Sequence, residues 1–111
     1  MNRDSADEAM LEELMKIGFI RKGGSCFIKK GNGPGHLCVD TSDLTCVYVS
    51  VSLLANEAYI DGDWNYDYLV NDLSLVSVCD YSMNTIDLIR TAYEMFEKDE
   101  SQAIAFINSI A

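Results

Sequence analysis

Between residue 31 and residue 89 this sequence has no lysine and no arginine, although nine aspartates or glutamates fall there. It has one histidine, one proline and one tryptophan in 111 residues. Each scarcity weighs against a class of function. A cation-free acidic middle repels the phosphates that normally supply most of the affinity for nucleic acid, so direct nucleic-acid binding is disfavoured. A lone histidine, His36, leaves a thin inventory for acid–base chemistry. No two of Cys26, Cys38, Cys46 and Cys79 stand at C-x-x-C spacing. That argues against a zinc knuckle or a redox turn, and in a reducing compartment the four read as small buried hydrophobes. No apolar run approaches the ~20 residues of a membrane span, and the first residues have no apolar signal core, so the expectation is a cytoplasmic protein of the host cell.

What is present suits a single α+β domain over residues 1–111. The hydrophobic content is 49%, and a chain of this length buries roughly 65% of its unfolded surface. The net charge is -10 and the pI about 4.2, a field that steers the protein toward basic surfaces.

Ser5 followed by Glu8 reads as a capping box, and Met10, Leu14 and Ile17 carry a helix over about residues 6–17 that Gly18 closes. Residues 19–22 and 25–30 predict a hairpin around Gly23-Gly24, gathering Arg21, Lys22, Lys29 and Lys30 at a solvated edge. Gly31-Asn32-Gly33-Pro34-Gly35 reads as a plain loop and not as a phosphate cradle, because strand and not helix follows it at His36–Asp40. Over Thr45–Leu53, Val47, Val49, Val51 and Leu53 alternate with Cys46, Tyr48, Ser50 and Ser52 as a half-buried strand, and residues 73–79 read as a central strand. Asn84 is the expected cap of a helix with its stripe at Ile86, Ile89, Tyr93 and Phe96, and Asp99 or Ser101 starts the last one. The fold expected is an N-terminal helix, an antiparallel meander of four to six strands, and two C-terminal helices packed on one face.

The stretch from Glu57 to Asp72 holds five carboxylates, no cation, the Trp and three of the six Tyr. As a strand with a turn at Asp61-Gly62 it sets Trp64, Tyr66, Tyr68 and Val70 against Asp63, Asn65, Asp67, Leu69 and Asn71. As a helix capped by Asp63 it would set Trp64, Tyr68 and Leu69 on the apolar side, and the alternation favours strand or extended loop. Alternating acids and aromatics suit a basic, partly apolar partner surface, so the expected binding residues are Glu57, Asp61, Asp63, Trp64, Tyr66, Asp67, Tyr68 and Asp72. The alternative is that the aromatics are core and the aspartates are turn and rim. Aspartates two apart on a strand stand about 6.6 Å from each other, the scale of neighbouring phosphates.

Two other chemistries can be drawn. Asp61, Asp63, Asn65, Asp67 and Asp72 occupy positions 1, 3, 5, 7 and 12 of a register that resembles an EF-hand calcium loop, with Tyr66 where Gly is usual and Asp72 in place of the bidentate Glu. His36 and Cys38 share a strand face, as a Cys–His nucleophile pair would, but no orienting third group is identifiable. No catalytic residue, resident metal or cofactor is expected.

In size, acidity, absence of catalytic motif and clustering of Asp with Trp and Tyr, the chain resembles the small inhibitors carried by phages and mobile elements, including anti-CRISPR proteins and other nucleic-acid mimics. The likeness is one of type over the whole chain. It implies a non-enzymatic inhibitor and a target protein with a basic groove, such as a CRISPR or other defence nuclease, blocked by occupancy or mimicry. An immunity protein or chaperone that neutralises a cognate toxin or effector is the alternative.

Overall fold

The structure, a computed structural model, describes the backbone of residues 3–22, 25–43, 45–54, 59–60, 63–64 and 69–111, and the side chains of residues 8–21, 25–43, 45–53 and 72–111. The first helix, α1 (Arg3–Ile17), ends where Gly18 takes a φ of 127°, a left-handed turn that a side chain would oppose. Both Gly18 and Phe19 donate their N–H to the Leu14 carbonyl, closing the helix as the sequence predicts. Its start differs. The helix begins at Arg3 and not near residue 6, so Ser5 lies within the first turn and is not the N-cap.

Six strands form the main sheet: β1 (Ile20–Lys22), β2 (Cys26–Lys30), β3 (Gly35–Asp40), β4 (Val47–Leu54), β7 (Leu69–Asp72) and β8 (Ser77–Cys79). A two-stranded pair, β5 (Tyr59–Ile60) and β6 (Asp63–Trp64), lies outside that sheet. β1 to β4 run as an antiparallel meander, and β7 and β8 both pair with β4, opposite β3. Then come α2 (Met83–Lys98) and α3 (Glu100–Ile110). This is the α+β architecture expected, with six strands in the main sheet among the described residues.

Strand alternation decides which face is covered. Phe27, Val39 and Val49 stand opposite one another on β2, β3 and β4, with Leu37 beside Val51 in the next row. All five are fully buried and join Ile86, Ile89, Ala92 and Phe96 of α2 and Ala103 and Ile107 of α3 in one cluster. Removing a side chain such as Ile89 from water contributes about 1.5–3 kcal/mol. Met10 and Leu14 of α1 complete the cluster, and Phe19 meets the Tyr93 ring edge-on at 5.0 Å.

Three expectations need correction. Residues 73–79 do not form a central strand: residues 73–76 break the pairing between β7 and β8 at the sheet edge, where Leu75 and Val78 are exposed. β4 is not half-buried, since Ser52 on its other face is 1% exposed and Ser50 is also buried. The α2 cap is Ser82 and not Asn84. Ser82 has extended backbone and accepts the Thr85 N–H, and the Asp80 carboxylate takes both the Ser82 and Thr85 hydroxyls. Asp99 caps α3 as expected.

The basic hairpin is partly absorbed by packing. The Arg21 guanidinium lies over the Phe27 ring, while Lys29 lies 4.9 Å from the Tyr93 ring centre and 3.6 Å from Glu97. The Gly31–Gly35 loop binds an anion of its own chain: Gly35 donates its N–H to the Glu100 carboxylate at 2.8 Å. Among the described residues no helix is long and apolar enough to cross a membrane.

Candidate functional site

The acidic aromatic stretch links β4 to β7 at the sheet edge. The chain leaves β4 at Leu54, pairs β5 with β6 through Tyr59 opposite Trp64 and Ile60 opposite Asp63, and returns as β7. There Asp72 stands opposite Ser52, Asn71 opposite Leu53 and Leu69 opposite Leu54. Strands flank residues 61–62 on both sides, but β6 and β7 pair in different sheets, and residues 65–68 of the expected strand lie outside the described residues. Of the expected binding residues, Asp63 and Trp64 are placed as strand residues only. Glu57, Asp61, Tyr66, Asp67 and Tyr68, with Asn65 of the calcium register, lie outside the described residues. That register follows β5, contains β6 and ends with β7, and is not flanked by the two helices of an EF-hand, and no metal-holding cluster exists among the described residues.

Asp72 is described in full, and it is exposed. Its Oδ1 accepts the Ser52 hydroxyl at 2.8 Å, and the Ser50 and Ser52 hydroxyls lie 3.1 Å apart. Ser52 has one proton and gives it to Asp72, so Ser50 donates to Ser52. The result is a relay from the buried sheet face to an exposed carboxylate.

Three further acids of the cation-free region are held the same way. Asp40 accepts the Ser42 N–H. Asp43 accepts from the Thr45 N–H and hydroxyl and from Tyr48, bonds that lower its pKa to about 2. Asp80 is also lowered, by its bonds from Ser82 and Thr85. The ion pairs among the described side chains use Lys16, Lys29 and Arg90. Asp40, Asp43, Asp72 and Asp80 are therefore oriented by neutral donors, which fix a carboxylate without cancelling its charge.

On the sheet face opposite the helices, Lys30, His36, Ser52 and Asp72 form a row across β2, β3, β4 and β7. Sequence reasoning missed the Ser50–Ser52–Asp72 relay. The only signal was serine at alternate positions of β4, and the partner strands follow from a register that local pattern does not contain. His36 and Cys38 do share this face. Burial and then the neighbouring Cys26 push the Cys38 thiol up to about 12, and its Sγ–H points to the His36 carbonyl and not to the imidazole. Burial and the nearby Lys30 lower the His36 pKa, and its Nδ1 is buried with no hydrogen-bond partner. A neutral thiol beside a neutral imidazole is not an activated nucleophile. Ser52 donates to Asp72 and not to His36, so the row is not a hydrolytic triad either.

No protein-family model matches this chain, and no curated protein or solved structure is significantly similar to it.

Proposed function

We propose that this protein is a non-enzymatic acidic inhibitor whose Glu57–Asp72 edge occupies a basic, nucleic-acid-binding surface of a target protein, a defence nuclease of the CRISPR type being the kind of target its composition suits. It acts in the cytoplasm of the host cell. The observation that carries this reading is the combination of nine acids and no cation over residues 31–89 with the neutral anchoring of Asp40, Asp43, Asp72 and Asp80. Acids paired with lysine present a dipole to a partner. Acids held by hydroxyls and amides present a net field, which raises the association rate with a basic groove and sets its register.

The neutral Cys38 thiol and a Ser52 hydroxyl bound to a carboxylate and not to the His36 imidazole support a binding role over a catalytic one. The test is affinity capture from bacterial lysate at about 0.1 M and about 0.5 M salt, where screening lengths fall from about 10 Å to about half that. The expected result is a basic nucleic-acid-binding protein retained at low salt and released at high salt. Capture of a toxin with no nucleic-acid-binding surface favours an immunity protein instead.

A further inference from the structure

A second surface lies between α1 and α2, apart from the β7 edge. Between α1 and the start of α2 runs a groove of about 420 Å³, lined by Met10, Glu12, Glu13, Tyr81, Met83 and Ile86 among others. Its floor is apolar. Met10 and Ile86 are almost fully buried beneath it, while Met83 is 64% exposed beside it. A smaller groove on the other side of α1 shares Glu12 and includes Leu11, Met15 and Glu8, with Met15 50% exposed.

The charge is placed unevenly along the larger groove. Its acids, Glu12 and Glu13, lie on α1, and Glu13 is 3.9 Å from Lys16, whereas Glu12 has no ion-pair partner among the described residues. The opposite wall is the first turn of α2, which carries no acidic residue of its own, and the positive end of its helix dipole is offset by the Asp80 carboxylate bound to the Ser82 and Thr85 hydroxyls. An occupant therefore sets cations toward α1 and an apolar, uncharged side chain toward Met83 and Ile86. Methionine walls adapt to varied apolar shapes, and an acidic rim selects cations beside them.

We infer that the α1–α2 groove docks a basic amphipathic helical segment of a partner protein, one apolar side chain entering between Met83 and Ile86 and lysine or arginine facing Glu12 and Glu13. This contact is separate from the Glu57–Asp72 edge and stands or falls independently of it.

The probe is a synthetic peptide of leucine and lysine at helical spacing, with a glutamate-for-lysine peptide as control. The readout is the methyl NMR signals of the five methionines. The expected result is saturable binding that shifts the Met10 and Met83 signals, leaves Met95 unmoved, and is not reproduced by the anionic control. Met83→Glu and the double variant Glu12→Lys, Glu13→Lys each weaken it about tenfold, with helical circular dichroism unchanged. The Asp61→Lys, Asp63→Lys, Asp67→Lys protein still binds the peptide, which separates this inference from the proposed function. Three results overturn it: no saturable binding, binding that leaves Met10 and Met83 unshifted, or shifts that follow protein concentration without peptide, which make a second copy of the chain the occupant.

Discussion

The Ser74 hydroxyl accepts the Val51 N–H at 2.9 Å, supplying the acceptor that an unbroken edge strand would provide from its backbone. Four residues, 73–76, face two, Ser50 and Val51, between the Asp72–Ser52 and Ser77–Val49 pairings. The Leu73 and Ser74 N–H groups both donate to the Val51 carbonyl, so this one residue of β4 anchors the break. Ser74→Ala leaves the Val51 N–H buried without an acceptor and is expected to cost about 1–3 kcal/mol, measured by urea unfolding. A cost near zero means that the edge rejoins as a regular strand.

The α2 cap separates two serviceable residues. Ser82→Ala is expected to lower stability by about 1 kcal/mol, whereas Asn84→Ala, at an exposed position inside the first turn, changes it by less than about 0.5 kcal/mol. Thermal unfolding of the two variants side by side makes the comparison.

Asp43 gives a pH signature. Its folded pKa of about 2 lies below the ordinary value of 3.8, so its contribution is fully present above about pH 4 and is lost as pH falls through about 2. Asp43→Asn should therefore be less stable than the parent at pH 6, with the gap closing between pH 4 and 2. Denaturant midpoints across that range report it. A gap independent of pH contradicts the charge-based account.

Cys38, partly buried like Cys46 and Cys79, should behave as a thiol of raised pKa. With its pKa pushed up to about 12, it is expected to resist iodoacetamide at pH 8 in the folded protein and to react once the chain is unfolded. Digestion before aspartate, which cuts at Asp40, Asp43 and Asp72, followed by mass spectrometry resolves it from Cys46 and Cys79.

Where local pattern decides structure, the sequence was legible. Gly18 ends α1, the valines of β4 mark the covered face, and Ile86, Ile89, Tyr93 and Phe96 give the α2 stripe. What it did not contain is pairing. Leu73-Ser74-Leu75-Val76-Ser77-Val78-Cys79 reads as one apolar run, and only its register against β4 shows the break. The Ser50–Ser52–Asp72 relay joins residues 20 apart through the same register. Ser82 and Asn84 are both good cap formers, and the Asp80 carboxylate that organises Ser82 and Thr85 decides between them. For the candidate site, strands before and after the Asp61-Gly62 pair were readable at residues 59–60 and 63–64, whereas the anchoring of Asp43 and Asp80 by neutral donors required the folded chain.

The most direct test of the acidic-surface account is the affinity for the captured target protein of the parent chain and of the Asp61→Lys, Asp63→Lys, Asp67→Lys variant, each at low and high salt. The account predicts that the variant binds at least about tenfold more weakly at low salt and that the parent's affinity falls as salt rises. A variant that binds as tightly as the parent, with no salt dependence in either, contradicts it.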